Sequence, residues 1–151
     1  TTFAAEIALL SRNVEIHSDN QDDSRPSEVP AARQGGYVQV THTPTVQQKF
    51  SGVELRYMGQ DKNADRFPLH LHQCRDSRSL IEKNTVRDSY SRGIVVQGTD
   101  NTTISENVAY KTRGNTFVLV DGTETDNLFY KNLGALTLGT GDWWWHGNRV
   151  A

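Results

Sequence analysis

Ile81-Glu-Lys-Asn84, Ile104-Ser-Glu-Asn107 and Phe129-Tyr-Lys-Asn132 are three versions of one short motif. Each places Asn three positions after an apolar residue, and the Asn residues lie 23 and 25 positions apart. Between them run Gly93-Ile-Val-Val-Gln-Gly98 and Thr116-Phe-Val-Leu-Val-Asp-Gly122, short apolar strands that end in glycine. A period of this length, made of β runs and turns without helical spacing, predicts a solenoid. The expected fold is all-β: a right-handed parallel β-helix of about five coils, each stacking its Ile, Val, Leu and Phe on the next. Ile81, Ile104 and Phe129 then form one inward column. Asn84, Asn107 and Asn132 suit a ladder, because an amide carries both a donor and an acceptor. Three unrelated surface turns are the plainer alternative.

Outward from this core, Phe50-Ser-Gly-Val53-Glu-Leu55 aligns on Ile81 to Val86, with Val53 at the Asn position and an interval of 31. Leu10-Ser-Arg-Asn13 carries the apolar-x-x-Asn pattern and reads as an earlier coil. Residues 1–151 therefore read as one β-helix segment with inserted loops at about 17–35 and 60–67. The first loop is rich in Asp, Ser, Pro and Arg, the composition of a surface excursion. Gly36-Tyr-Val-Gln-Val40 alternates as a strand, with Tyr37 and Gln39 on one face and Val38 and Val40 on the other. Beyond Gly134 the repeat fades: Leu136-Thr-Leu138 begins a further coil, and Trp143-Trp-Trp145 gathers three aromatics that a strand cannot hide on one face.

The 151 residues carry a net charge of −2 with acids and bases interspersed, which argues against a nucleic-acid partner. No signal peptide, membrane-spanning run, targeting tail or cofactor motif is legible. The chain opens inside the apolar run Phe3 to Leu10 and shows no capping helix, so a segment of a longer protein is expected, partnered by flanking domains of its own polypeptide. Cys74, the single cysteine, is either a buried thiol or pairs outside this segment.

Chemistry belongs on the outward faces, since the inward ones fill the core. In Pro68-Leu-His-Leu-His72, Leu69 and Leu71 point one way and His70 and His72 the other. Two histidines on one face suit a metal, an acid–base pair or recognition of a sugar. The plainer reading is a hydrogen-bonded groove pair. With no third ligand in sight, no cofactor and no stoichiometric metal are expected, His70 and His72 being the only candidates.

Gly52-Val-Glu-Leu-Arg-Tyr-Met-Gly59, Arg66-Phe-Pro-Leu-His-Leu-His72, Gly98-Thr99, Glu106-Asn-Val-Ala-Tyr110, Asp121-Gly-Thr-Glu124 and Asn132-Leu-Gly134 together resemble one family. It is the parallel β-helix region of fibrocystin-like proteins, the cell-migration-inducing hyaluronidase and transmembrane protein 2. The resemblance runs from about Phe3 to Leu138. It implies an extracellular or cell-surface protein reached through the secretory pathway. In some members it implies hyaluronan depolymerisation. In the fibrocystin-like members it implies a surface or ciliary coat, with neighbouring coat or filament proteins and glycans as partners.

Departures from that family bear on activity. Where the family usually carries His and Glu, this chain has Gln97 and Val120, and Asn115 replaces another His. The coils register His72, Gln97 and Val120 in one outward column, and neither Gln nor Val titrates. The expectation is a structural or binding segment of a larger glycoprotein without catalysis. The alternative is a glycan depolymerase built from Arg66, His70, His72 and Asp76, with Asp121 and Glu124 as further proton donors or acceptors. Asn101-Thr-Thr103, the only Asn-x-Ser/Thr sequon, lies in the turn before Ile104, and Asn101 is the expected glycosylation site.

Overall fold

The computed structural model of the protein describes residues 7–19, 33–42, 46–61 and 63–139. The body of the first inserted loop, residues 20–32, and Trp143 to Trp145 lie outside the described residues. The architecture is all-β, with three parallel sheets wound by successive coils. The first sheet stacks β1 (Val14–His17), β4 (Val53–Arg56), β7 (Thr85–Arg87), β10 (Val108–Tyr110) and β13 (Leu133–Ala135). The second stacks β2 (Val38–Thr41), β5 (Leu69–Asp76), β8 (Ile94–Asp100) and β11 (Phe117–Leu119). The third stacks β3 (Lys49–Ser51), β6 (Leu80–Glu82), β9 (Thr103–Ser105) and β12 (Leu128–Tyr130). Every strand pairs with its counterpart one coil away, so the sequence interval sets the register.

The core is the inside of this prism. Leu55, Leu69, Leu71, Ile81, Val86, Ile94, Val96 and Ile104 are buried, four from the second sheet and two from each of the others. Ile81 pairs with Ile104, and Ile104 with Phe129, in the inward column expected from the repeat. Phe129 keeps 37% exposure, as no described strand pairs with the outer side of β12. Cys74 is a buried free thiol, its Sγ 3.3 Å from the Val40 carbonyl.

Each coil turns three corners on single residues in the left-handed region. Gly52, Lys83, Glu106 and Lys131 share one corner, with φ of 70°, 56°, 55° and 52°. Tyr57, Asp88, Lys111 and Leu136 share the second, and Arg78, Asn101 and Asp126 the third. A left-handed residue other than Gly is costly alone. It is tolerated here because the backbone on either side is held by the coils above and below.

At the first corner Asn84, Asn107 and Asn132 stack. Asn84 Nδ2 donates to Asn107 Oδ1 at 3.0 Å, and Asn107 Nδ2 to Asn132 Oδ1 at 3.0 Å. The same oxygens accept the backbone N–H of the coil before: Val53 to Asn84, Asn84 to Asn107, Asn107 to Asn132. The segment from Leu10 to Ile16 is the earlier coil expected from the repeat, but Asn13 does not join the ladder. Val14, not Asn13, pairs with Val53, so Asn13 falls one residue short, beside Gly52. A second column, invisible as a repeat, holds the third corner: Gln48 N donates to Ser79 Oγ, and Thr102 N to Asn127 Oδ1. Two residue types, Ser and Asn, fill one role there, which is why no motif announces it.

Candidate functional site

The outward face of the second sheet carries two columns. Gln39, His70, Val95 and Val118 form one, and Thr41, His72 and Gln97 the other, in strict register along β2, β5, β8 and β11. Val120 continues the second column, its N–H bonded to the Val96 carbonyl at 3.1 Å. Past His72, β5 bulges: Arg75 pairs with Thr99 where simple spacing would pair Cys74. Gln73 and Arg75 both take positive φ there, and the bulge ends the groove.

Residues 63–68 fold back over these columns. Gln60 bridges Gln34, and the buried Asp61 carboxylate takes Arg33 Nη1 at 3.0 Å, pinning the loop's base. Phe67 is buried and meets the His70 ring edge-on at 5.1 Å between centroids. His70, though outward on its strand, has 0% exposure as a result. Burial pushes its pKa below the usual 6.5, so the ring is neutral near pH 7. His72 stays half-buried, 5.0 Å from His70 between ring centroids.

One amide serves both rings. Gln97 Oε1 lies 3.2 Å from His70 Nε2 and 3.1 Å from His72 Nδ1, while its Nε2 donates to Asp121 Oδ1 at 3.2 Å. The exposed Asp121 carboxylate therefore orients Gln97, and Gln97 orients the histidines. Asp65 completes the cluster: ligand atoms of Asp65, His70 and His72 all lie within 4.8 Å of one another. Arg66 sits beside them with its guanidinium 5.2 Å over the Tyr37 ring.

Asp76 stands apart. It lies past the bulge, where its carboxylate accepts from Asn101 Nδ2 at 2.9 Å and Arg78 Nη2 at 3.3 Å. Those two bonds, Asn101 first, hold its pKa below the usual carboxylate value. Asp65 fills the place that the sequence reading assigned to Asp76, because the loop turns back onto the sheet. Glu124 is likewise structural: Oε1 accepts from Gly98 N at 3.2 Å and Asp121 N at 2.9 Å. Asn101 is exposed at its corner.

Residues 33–142 match the CEMIP beta-helix family. The cell surface hyaluronidase of Danio rerio is 32% identical over 145 residues, covering 88% of this chain and 10% of that protein. A G8 domain-containing protein of Dictyostelium discoideum is 37% identical over 141 residues, covering 91% of this chain and 9% of its own length. The human cell surface hyaluronidase CEMIP2 is 30% identical over 145 residues, with 88% and 10% covered. The chain thus spans about a tenth of the length of the curated relatives it matches. No solved structure matches it. A family match over most of the chain, on a stacked three-sheet coil, leaves one assignment: this chain belongs to the CEMIP beta-helix family.

Proposed function

We propose that the chain is a structural and glycan-binding β-helix segment of a cell-surface or extracellular protein, and that it does not cleave the glycan it holds. The observation that carries this reading is the outward column Thr41, His72, Gln97, Val120. It offers one half-buried imidazole, His72, because its neighbour His70 is buried and held on both nitrogens. Glycoside hydrolysis usually requires two carboxyl groups flanking the bond, one to protonate and one to attack or to activate water. In this groove Asp121 is engaged by Gln97, and Glu124 by backbone N–H groups, which leaves Asp65 as a single carboxylate beside the histidines. What the groove presents instead is a ledge for binding. Tyr37, 41% exposed, offers a ring face, and Arg66 and His72 offer donors to hydroxyl and carboxylate groups of an acidic sugar. The surface location rests on the relatives named cell surface hyaluronidases.

A depolymerase is the second reading, favoured by those same names and by the Asp65, His70 and His72 cluster. Incubation of the intact protein with hyaluronan separates the two. Retention of the polymer at unchanged length, weakened in Tyr37→Ala and Arg66→Ala, is the expected result. Shortening of the polymer that disappears in His72→Ala would replace the binding reading with the second.

A further inference from the structure

The buried corner around His70 holds contacts that one proton cannot satisfy. His70 Nε2 faces Gln97 Oε1 at 3.2 Å. On its other side Nδ1 lies 3.2 Å from the Asp65 carbonyl oxygen and 3.3 Å from Gln39 Nε2. A neutral imidazole carries a single N–H. With the proton on Nδ1, the Asp65 carbonyl is satisfied, but a bare Nε2 meets an amide oxygen. With the proton on Nε2, Gln97 is satisfied, and the bare Nδ1 takes the Gln39 amide but meets the Asp65 carbonyl. Gln97 cannot turn its oxygen away without presenting it to the Asp121 carboxylate. For a fully buried ring such a mismatch calls for an explanation.

A cation removes it. We propose that Asp65, His70, His72 and Gln97 form a divalent transition-metal site of the zinc class, through a carboxylate oxygen, His70 Nε2, His72 Nδ1 and Gln97 Oε1. The spacing fits: ligand atoms around four-coordinate zinc, with bonds of about 2.0–2.1 Å, sit about 3.3 Å apart. Here Gln97 Oε1 lies 3.2 and 3.1 Å from the two ring nitrogens. The Asp65, His70 and His72 ligand atoms fall within 4.8 Å of one another, a wider spacing that an ion would draw in. His70 Nδ1–H then donates to the Asp65 carbonyl, the outer bond by which a ligating histidine is commonly oriented. Asp121 plays that part for Gln97. Two imidazoles with two oxygens favour Zn2+ over Ca2+ or Mg2+, which prefer oxygen alone. Four protein donors fill a tetrahedral shell, so the ion acts as a clamp that ties the 63–68 loop to β5 and β8. The expectation of no metal rested on the lack of a third ligand; folding supplies Asp65, and Gln97 adds a fourth, weaker donor. This inference stands apart from the glycan-binding reading.

Arg92 competes for the Asp65 carboxylate, since the two interact electrostatically. Asp65 is therefore the residue on which the test turns. The intact protein, stripped with chelator and dialysed against ZnCl2, should retain about one zinc per chain by elemental analysis. Co2+ in its place should give the intense visible absorption of a four-coordinate ion. Asp65→Asn keeps a residue that tolerates the left-handed φ of 70° and should weaken zinc binding at least about tenfold. His72→Ala should abolish stoichiometric retention. Circular dichroism confirms that each variant is folded, and if His72→Ala is not, Asp65→Asn decides. No retained zinc, or retention that neither variant changes, overturns the site.

Discussion

Asn84 and Asn107 share a hydrogen bond of 3.0 Å from Nδ2 to Oδ1, and the same Oδ1 accepts the Asn84 backbone N–H at 3.0 Å. One buried oxygen thus closes a side-chain bond and a corner of the backbone together. Asn107 Nδ2 also donates to the Ile81 carbonyl at 2.9 Å, so Asn107 ties together three coils. Asn107→Ala would leave several buried groups unpaired, each worth about 1–3 kcal/mol. Urea unfolding should show a loss of about 3 kcal/mol or more. Asn132→Ala should cost less, because Asn132 is only partly buried in the last described coil.

The inward column should show the same gradient. Ile104 is fully buried between Ile81 and Phe129, so Ile104→Ala should cost about 2–5 kcal/mol. Phe129→Ala should cost less than a buried Phe truncation, because the ring is 37% exposed. Equal losses at the two positions would show that Phe129 is fully buried.

Glu54 and Arg87 form a buried ion pair at 2.6 Å, with Glu54 at 1% exposure beneath the segment that ends at Arg12. Arg87→Ala removes the charge partner of that carboxylate, which keeps the Arg12 N–H, and should cost about 1–3 kcal/mol. The double variant Glu54→Gln with Arg87→Met should recover much of it. Thermal melts of the three proteins test the ordering.

Glu124 gives the pH dependence a sign. Burial raises its pKa, but backbone N–H bonds from Asp121, Gly98 and Gly122 outweigh that, and the folded value falls below 4.5. A depressed carboxylate contributes stability that is present above the unfolded pKa and lost as pH falls through the folded one. Glu124→Gln should therefore be less stable than the wild type at pH 7, with the difference shrinking below pH 4.5. A difference that is constant across the range would assign the loss to packing alone.

Asn101 is exposed at its corner, and its Nδ2, the atom a glycan would take, touches only Asp76 among the described residues. Protein from a eukaryotic secretory host should carry a glycan there. Glycosidase treatment should convert Asn101 to Asp by mass spectrometry, and Asn101→Gln should remove the mass shift.

The solenoid is legible in the chain alone, because a repeat that buries one face per coil writes its period into the sequence. Ile81, Ile104 and Phe129 recur since each must fill the same inward slot, and Asn84, Asn107 and Asn132 since only an amide bonds the coils on both sides and its own corner. Also legible is which histidines leave the core, from the alternation of Leu69, His70, Leu71 and His72. The tertiary structure decided the rest, and for one reason: these features depend on backbone paths that no period encodes. Asn13 and Asn84 read alike, yet a one-residue offset excludes Asn13. Ser79, Thr102 and Asn127 read as unlike, yet occupy one corner. Asp76 lies four residues from His72, but the bulge carries it to Asn101. Asp65 arrives beside the histidines instead, because the loop between β4 and β5 folds back and buries Phe67 over His70.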